Sequence, residues 1–330
     1  MRSIVTGGGG FVGAALCRRL RALGHDVTAL GRRDYPALAA DGIRTVVHDL
    51  SASDAPAALA RHFSGMECVF HTAAHVTMWG RLESFVEGNV TATDNVIAAC
   101  RAAEVPRLVF TSSPSVVAAA HDLRGVDESQ PYPSRYSAFY PQTKAAAERA
   151  VLAAHGDRLR TASLRPHLIF GPGDTNLVPT ILKRARAGRL VQVGQGRNLV
   201  DLTFIDDCVA AHILAAAALG ERPSAGGRPF FISQGSPVPL WEWIGRVLAI
   251  HGLPPVRRKI PLGVALAAAT AAEAAWRVCG LQSDPPLTRF LVEEMATDHY
   301  FDISAARREL GYEPSCSVWE ATERLASWRA

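Results

Sequence analysis

The first half of the chain alternates short apolar runs, rich in β-branched and aromatic residues, with longer segments whose apolar residues recur at helical spacing. The short runs predict strands at 3–6, 26–30, 44–48, 68–71, 107–111 and 160–164. The intervals predict helices, notably at 11–23, 84–103 and 142–154. Strands that alternate with helices form a parallel sheet covered on both faces. The pattern therefore predicts an α/β fold with a Rossmann-type, doubly wound parallel sheet.

After Arg165 the pattern becomes irregular, because proline and glycine interrupt shorter apolar runs such as RPHLIFGPGD and SQGSPVPL. This change predicts a smaller, discontinuous α+β lobe that binds substrate. We expect residues 1–170 and 199–232 to form the dinucleotide-binding domain, and 171–198 and 233–330 to form the lobe. A chain of 330 residues can bury a large core in such a body. The cleft between the two parts is the expected site.

Composition and charge exclude several classes of protein. A formal net charge of +4 without long basic runs predicts no nucleic-acid partner, and the cluster KRAR at 183–186 is interpreted as a solvated helix face. The six cysteines are scattered, with no CxxC and no zinc-like Cys/His spacing. We therefore expect reduced thiols and no metal site.

The apolar segment 260–280 is the best candidate for membrane contact. Its uncharged run is shorter than the roughly 20 residues that span a bilayer, and Glu273 and Arg277 interrupt its end. It is interpreted as an Ala-rich helix that covers an apolar site, which leaves peripheral membrane contact open. The N-terminus carries no pattern of a secretory signal, so a cytoplasmic location is expected.

A glycine-rich turn, TGGGGFVG, joins the first predicted strand to the first helix. Glycine at positions 7, 10 and 13 permits a tight turn, close approach of backbone to a pyrophosphate, and close packing of helix on strand. The N-terminus of the following helix would face the phosphates. A mobile turn could have the same sequence, but its position between a strand and a helix favours dinucleotide binding.

The end of the second strand decides which dinucleotide is preferred. An acid about twenty residues after the glycines would bind the adenosine ribose 2′-hydroxyl, but Gly31 stands there and Arg32 and Arg33 follow. Guanidinium groups suit a 2′-phosphate. We expect NADP(H) rather than NAD(H), with the alternative that both arginines are simply exposed. Asp49 closes the third strand, where an adenine edge would lie.

Tyr140 and Lys144 in YPQTK stand at i and i+4, so they share one helix face. A neighbouring ammonium would favour the phenolate and lower the pKa of the tyrosine from about 10. Alone, such a pair more often marks a solvated helix face. Ser113, at the end of the strand RLVFTSS, and the upstream glycine turn favour a site that transfers hydride and a proton at a carbonyl.

With these motifs in place, the chain resembles the extended short-chain dehydrogenase/reductases over almost its full length. The resemblance is carried by TGGGGFVG, HDL at 48–50, FHTAA at 70–74, TSS at 111–113, YPQTK and FDISAARRELGYEP at 301–314. It implies a catalytic serine at Ser113, with Ser112 as the alternative, and catalytic Tyr140 and Lys144. It also implies that Asn89 helps to organise the site, although Ala92 replaces the usual glycine. Relatives often dimerise through the helices corresponding to 84–103 and 142–154, so a homodimer is expected.

The residue pattern and the resemblance together predict which residues contact cofactor and substrate. The predicted cofactor contacts are Gly7, Gly10, Phe11, Val12, Gly13, Arg32, Arg33, Asp49, Leu50, Ala73, Ala74, Tyr140, Lys144 and Pro166. The candidate substrate contacts are His75, Trp79, Ser113, Pro114, His167 and Trp276. For His75 and Trp79 a structural role is an equal alternative, and for His167 a packed, hydrogen-bonded histidine is the preferred interpretation.

Two segments, TSSPSV and VDLTFIDDCVAAHILAA, resemble the 3β-hydroxysteroid dehydrogenase-like branch of the superfamily. AAHVTMWG and TSSPSVV are similar to the 2-alkyl-3-oxoalkanoate reductases of bacterial olefin biosynthesis. Nucleotide-sugar enzymes of the superfamily carry a phosphate-binding arginine where this chain has Val200. The expectation is therefore an NADP(H)-dependent oxidoreductase that interconverts a ketone and a secondary alcohol on a bulky apolar substrate, most closely a 2-alkyl-3-oxoalkanoate.

Three alternatives stay open at this point. They are a 3β-hydroxysteroid or sterol dehydrogenase, a sugar-nucleotide epimerase or dehydratase, and a non-catalytic NADP-binding module. In the preferred mechanism Tyr140 is the general acid and Ser113 is the second donor to the carbonyl oxygen. Lys144 tunes the tyrosine and holds the nicotinamide ribose.

Overall fold

The strands of the protein were located in a computed structural model that describes residues 1–118 and 121–328. They are β1 Arg2–Thr6, β2 Asp26–Gly31, β3 Arg44–Val47, β4 Cys68–His71, β5 Arg107–Thr111, β6 Leu123–Val126, β7 Arg160–Pro166, β8 Ile169–Phe170, β9 Gln192–Val193, β10 Leu199–Val200, β11 Thr203–Phe204, β12 Arg228–Ile232, β13 Val238–Pro239, β14 Lys259–Ile260 and β15 His299–Phe301.

The α-helices lie between these strands and towards the C-terminus. They are α1 Phe11–Ala22, α2 Pro36–Ala40, α3 Ala55–Phe63, α4 Leu82–Phe85, α5 Ala92–Ala102, α6 Phe139–Ala153, α7 Leu177–Arg186, α8 Ile205–Glu221, α9 Leu240–Ile250, α10 Leu262–Val278, α11 Arg289–Ala296 and α12 Val318–Glu323. Within residues 1–118 and 121–328 there are also two π-helical segments, Val86–Thr91 and Ala306–Leu310, and three 3₁₀ turns, Pro114–Val117, Pro223–Ala225 and Arg324–Ser327. Among the described residues, none of these helices is both long and apolar enough to cross a membrane.

A seven-stranded parallel sheet forms the centre of the fold, in the order β12-β7-β5-β4-β1-β2-β3. The predicted doubly wound α/β fold is confirmed, and each of the six predicted strands overlaps an observed one. The additional edge strand, β12, has the sequence RPFFI and pairs with β7 from Arg228 to Ile232. The sequence did not predict β12 because the run is short and contains a proline, which an edge strand tolerates.

Alternate residues of the central strands pack against different layers of helices. Ile4 and Leu30 belong to a core with α3 and α5, whereas Val5 and Ala29 belong to a core with α1 and α8. Side chains of a strand point alternately to the two faces of a sheet. The carboxyl ends of the strands meet at one edge, where the loops that carry the predicted motifs lie together.

A second, four-stranded sheet has the order β13-β10-β15-β6. It joins segments far apart in the chain, since β6 at Leu123–Val126 pairs with β15 at His299–Phe301. Val200 of β10 is completely buried in this sheet, so the position that carries an arginine in nucleotide-sugar enzymes belongs here to the core. The division into a dinucleotide-binding domain and a lobe stays a prediction.

Two predicted helices have different boundaries in the structure. The predicted helix 84–103 is α4, the π-helical segment Val86–Thr91 and α5 in succession. The helix predicted at 142–154 is α6, which begins at Phe139 and so includes Tyr140 in its first turn. Pro141 suits that first turn, because the N–H that proline lacks would have no intrahelical partner there.

Candidate active site

The glycine turn between β1 and α1 is shaped to receive a dinucleotide. Gly7 has φ +70°, and a Cβ on it would lie 2.7 Å from backbone atoms of Ala73. A Cβ on Gly13 would overlap the Gly7 carbonyl. The first helical hydrogen bond runs from the Ala14 N–H to the Gly10 carbonyl at 2.8 Å, and Gly10 has no side chain to cap the helix. The N–H groups of the first turn thus remain for an anionic ligand, so these residues fit a pyrophosphate.

At the adenosine end, Gly31 is the last residue of β2, and Arg32 and Arg33 are exposed beyond it. The charge of Arg32 contributes to lowering the pKa of Asp49, although the larger cause is the Ser51 N–H. That N–H donates to Asp49 Oδ1 at 2.9 Å, so one carboxylate oxygen of this exposed residue is occupied. A cationic group and a glycine therefore stand where an NAD site would carry an acid.

Ser113 and Tyr140 interact through their side chains where β5 ends and α6 begins. Ser113 Oγ accepts hydrogen bonds from the Ser115 N–H at 3.2 Å and the Ser115 hydroxyl at 2.9 Å. Since these bonds use its two lone pairs, its own O–H is free to donate. Ser112 is buried and lies on the opposite side of the extended backbone. The structure thus places Ser113, rather than Ser112, beside Tyr140.

The expected lowering of the Tyr140 pKa by Lys144 is wrong for the protein in this structure. Removal from water raises the pKa of Tyr140 to about 12, with an opposing effect of Ser113 and a further rise from Glu294. The Lys144 ammonium donates instead to the Thr111 carbonyl at 2.6 Å and lies 4.0 Å from the centroid of the Phe110 ring. The i, i+4 spacing places both residues on one face of α6 but leaves open where the long lysine side chain points.

Burial also lowers the pKa of Lys144 to about 7, and the negative charge of Glu148 opposes this shift. Glu148 follows Lys144 by one helical turn on α6 and is completely buried. It forms an ion pair with Arg165, whose Nη2 lies 2.6 Å from Oε1. The hydroxyls of Tyr132 and Ser163 also donate to this carboxylate, each at 2.7 Å. The sequence did not predict this pair, which ties α6 to β7.

The predicted site residue Asn89 lies in the π-helical segment and is buried. Its Oδ1 accepts from the His75 N–H at 2.7 Å, and its Nδ2 donates to Thr143 Oγ1 at 3.0 Å. Thr143 precedes Lys144 on α6. Asn89 therefore joins the loop after β4 to the helix that carries Tyr140 and Lys144, and π-helical turns are common at functional sites.

A cavity of about 330 Å³ opens beside the first turn of α6. Trp79 and Phe85 line one side, and Trp276, Arg277 and Leu281, at and after the end of α10, line another. The Trp79 indole N–H donates to the Leu281 carbonyl at 3.0 Å, which closes one rim. The Trp276 indole nitrogen is buried and has no hydrogen-bond partner among the described residues. The cavity is of a size that accommodates a small organic ligand.

His167 is the buried residue that directly follows β7, and its ring packs at right angles to the ring of His299. Its Nε2 lies 2.6 Å from His299 Nδ1, while His299 Nε2 donates to the Glu294 carbonyl at 2.7 Å. Since His299 Nε2 carries a proton, a neutral His299 accepts at Nδ1 from His167. A separation of 2.6 Å is that of a direct hydrogen bond. The surroundings of His167 agree with the preferred interpretation of a packed, hydrogen-bonded histidine.

Sequence reasoning missed Glu294 and His299 near the site. Burial raises the pKa of Glu294, and its charge reaches Tyr140. Both residues line a small cavity whose wall includes Ser137, just before α6, and Pro141, which follows Tyr140 on α6. The segment EEMATDHYF around them matches no local motif, and the pairing of β15 with β6 brings this segment to the site.

The remaining predicted contacts occupy the same edge of the central sheet. Ala73 and Ala74 follow β4, with Ala73 close to the glycine turn, and Leu50 is buried after β3. Pro114 is buried as the first residue of the 3₁₀ turn after Ser113, and Pro166 ends β7.

Comparison with protein families matches residues 4–262 to the 3-beta hydroxysteroid dehydrogenase/isomerase family. A 2-alkyl-3-oxoalkanoate reductase of Stenotrophomonas maltophilia (strain K279a) is 44% identical over 327 residues, covering 98% of each chain. The human sterol-4-alpha-carboxylate 3-dehydrogenase, decarboxylating, is 34% identical and covers 98% of this chain and 87% of its own.

Solved structures share the fold over almost the whole chain. The crystal structure of gox2253 has a TM-score of 0.78 and 27% identity, and covers 99% of this chain and 97% of its own. MoeE5 in complex with UDP-glucose and NAD has a TM-score of 0.74 and 25% identity, with coverage of 99% and 98%. The alignments thus span both the central sheet and the second sheet.

Proposed function

Since this chain belongs to the 3-beta hydroxysteroid dehydrogenase/isomerase family of NAD(P)-dependent oxidoreductases, we propose that it reduces 2-alkyl-3-oxoalkanoates to 2-alkyl-3-hydroxyalkanoates with NADPH. The observation that carries the proposal is the presence of Ser113, Tyr140 and Lys144 at one end of the central sheet, beside a cavity lined by Trp79 and Trp276.

The names of two groups of relatives describe related chemistry. A 2-alkyl-3-oxoalkanoate carries its ketone two carbons from a carboxylate carbon, and a sterol 4-carboxylate carries its 3-hydroxyl in the same relation. Both are β-oxygenated acids with a substituted carbon between the two groups. We therefore propose this substrate class for the present chain, with the sterol acid as the second candidate because dehydrogenases of sterol carboxylates are also similar over nearly the full chain.

In the proposed mechanism the carbonyl oxygen lies between the Ser113 and Tyr140 hydroxyls. The bound cofactor supplies the hydride. Ser113 donates a hydrogen bond to the oxygen as negative charge develops there, and Tyr140 transfers its phenolic proton to it. A tyrosine with a pKa near 12 remains fully protonated at neutral pH, which suits a proton donor in the reducing direction. In the oxidising direction the phenolate is the base.

Lys144 and Asn89 position these groups in the proposal. Lys144 would hold the ribose next to the nicotinamide, and its nearly neutral pKa makes its charge sensitive to a bound ligand. Asn89 holds the loop after β4 against Thr143 and so fixes the orientation of α6. Gly31 together with Arg32 supports NADP(H) as the preferred cofactor.

The test is a turnover assay with purified protein, NADPH or NADH, and substrates with graded alkyl chains. The proposal expects NADPH oxidation with long-chain 2-alkyl-3-oxo acids and less with 3-ketosteroids and simple aryl ketones. Faster oxidation of a sterol 4-carboxylate, assayed in parallel with NADP⁺ or NAD⁺, would replace it with the second candidate. Tightly bound NAD with turnover of a UDP-sugar and no net cofactor consumption would overturn it in favour of an epimerase. Cofactor binding without turnover of any substrate in the panel would also contradict it.

A further inference from the structure

The side chain of Tyr35 fills the gap between the glycine turn and the end of β2. A Cβ placed on Gly31 would overlap the Tyr35 hydroxyl, and a Cβ placed on Gly9 would overlap its ring. Neither glycine has a positive φ, so their backbones do not require glycine. It is the room taken by Tyr35 that excludes a larger side chain at both positions.

Local structure holds Tyr35 in this place. Its carbonyl accepts from the N–H groups of Leu38 at 2.9 Å and Ala39 at 3.0 Å, which begins the short helix α2. Pro36 follows directly and restricts the backbone at this turn. The ring packs against the core that includes Val5 and Ala29. The hydroxyl makes no hydrogen bond with residues 1–118 or 121–328, so it is available to a ligand.

The position of the hydroxyl bears on cofactor choice. In an NAD site, the acid that ends the second strand accepts from the adenosine ribose 2′-hydroxyl. Here the Tyr35 oxygen stands where the Cβ of such an acid would be, and a carboxylate at that position would reach one carbon farther. The Tyr35 hydroxyl therefore stands at the point from which an acid would reach the ribose 2′ position in an NAD site. The charge of Arg32 acts on both Asp49 and His75, and so lies over the same end of the sheet.

We propose that Tyr35 determines cofactor specificity: its hydroxyl donates a hydrogen bond to the adenosine 2′-phosphate, and its side chain keeps an acidic residue out of position 31. This inference rests on the NADP(H) preference in the proposed function. It goes beyond that preference by assigning a residue that presents an uncharged donor beside Arg32. It also explains why glycine stands at position 31.

The first test compares wild type with Tyr35→Phe, which keeps the ring and removes only the hydroxyl. The probes are adenosine 2′,5′-bisphosphate and 5′-AMP, titrated by calorimetry. A hydrogen bond to a charged group predicts about a tenfold weakening of the bisphosphate and no change for 5′-AMP. Equal affinity of both proteins for the bisphosphate would overturn the proposal, as would an equal loss for both probes.

The second test is a double-mutant cycle of Gly31→Asp, Tyr35→Ala and the two combined, with Kd measured for NADH and NADPH. We expect Gly31→Asp alone to weaken NADPH without improving NADH, because Tyr35 occupies the space that the new side chain needs. The double variant should bind NADH at least tenfold more tightly than Gly31→Asp does. An equal gain in NADH affinity from Gly31→Asp alone would contradict the inference. Thermal unfolding of each variant in the cycle, with Tyr35→Phe as the conservative reference, identifies any loss due to misfolding.

The wild-type titrations separate this inference from the proposed function. Wild type that prefers NADPH, with no effect of Tyr35→Phe, overturns only the role of Tyr35. Wild type that binds NADH more tightly than NADPH overturns the cofactor preference and the inference with it. Neither result bears on the substrate class, which the turnover assay measures.

Discussion

On the cofactor side of the candidate site, a pyrophosphate would contact backbone N–H groups of the glycine turn, whereas on the substrate side the contacts are side chains from distant segments. Gly7 and Gly13 act by leaving room for neighbouring backbone, at Ala73 and at the Gly7 carbonyl respectively. The cavity on the other side is lined from the loop after β4, the start of α6 and the end of α10. A short sequence motif can specify a site formed by backbone atoms. A site formed by side chains from several segments depends on tertiary packing.

The difference extends to the chemistry of each side. The glycine turn offers N–H groups whose charge does not change with pH. The substrate side instead contains groups with strongly shifted pKa values, raised to about 12 for Tyr140 and lowered to about 7 for Lys144. Such shifts are common where acid and base catalysis takes place. Substitutions can therefore affect either side separately, which leads to five predictions in descending order of effect.

Tyr140→Phe should abolish the chemistry and leave the cofactor side intact. Because the phenolic proton is lost while the ring remains, we expect kcat to fall by about 10²- to 10⁴-fold and the Kd of NADPH to stay unchanged. Tyr312→Phe is the matched control, since its hydroxyl donates to the Ser233 carbonyl at 3.0 Å and Tyr312 does not line the cavity. The assignment of Tyr140 would be wrong if its variant kept wild-type turnover, or if kcat fell equally in both variants.

Arg165→Met should destabilise the whole protein, because it leaves the Glu148 carboxylate buried without its cation. We expect the free energy of unfolding in urea to fall by about 3–5 kcal/mol. Arg246→Met is the control, since Arg246 pairs with Glu323 at 2.6 Å where both side chains are about half exposed, and such pairs contribute about 0–1 kcal/mol. Similar losses in the two variants would show that burial does not control the strength of the pair.

Gly7→Ala should impair the cofactor side alone. The new methyl group would meet the Ala73 backbone, so the turn must shift, and we expect NADPH affinity to fall by about tenfold or more while turnover at saturating cofactor falls less. Gly24→Ala is the control, because its φ of +79° gives similar backbone strain but no atom lies within 4 Å of a Cβ there. That variant should lose about 1 kcal/mol of stability and retain cofactor affinity. An equal loss of affinity in both variants would refute the close approach of Gly7.

Trp276→Ala should weaken substrate binding, because it removes one wall of the cavity. We expect KM for a long-chain 2-alkyl-3-oxo acid to rise by about tenfold, as an aromatic contact of a few kcal/mol is partly lost, with a smaller change for a short-chain analogue. Val278→Ala is the control, as Val278 is 87% exposed on the same helix. A rise in KM that does not depend on the length of the substrate's alkyl chain would argue against an alkyl-chain pocket.

Glu294→Gln should give the smallest effect, a shift in the pH profile of alcohol oxidation. The Glu294 charge raises the Tyr140 pKa, so its removal lowers that pKa, and the phenolate needed as base forms at lower pH. The rising limb of kcat should move to lower pH by less than about one unit. Glu293→Gln, whose charge acts on Glu294 but not directly on Tyr140, is the control. A shift to higher pH would contradict this electrostatic coupling.

The parts of the site that the sequence predicted are those with local signals. The glycine turn, the strand ending at Ser113 and the spacing of Tyr140 and Lys144 all lie within short segments. The contacts of the Lys144 side chain were not predicted, because they depend on the Thr111 carbonyl and the Phe110 ring. Spacing along a helix specifies a face but not the end point of a flexible chain.

The contacts that the sequence did not predict connect residues far apart in the chain. Arg165 pairs with Glu148 across β7 and α6, and Glu294 reaches Tyr140 from a segment more than 150 residues later. Neither has a motif, because a carboxylate on a helix is usually a solvated surface group. The edge strand β12 was not predicted for a related reason. Its pairing with β7, rather than a pattern in its own sequence, makes this segment a strand.

The pairing of β6 with β15 has a consequence for the order in which the protein folds during synthesis. The glycine turn can take its shape once the first four strands have left the ribosome, as β1 pairs only with β2 and β4. The second sheet needs residues 123–126 and 299–301 together, and contacts of such large sequence separation form slowly. A nascent chain could therefore bind its dinucleotide before its substrate cavity exists, and bound cofactor would then stabilise the first-formed part while the remainder is translated.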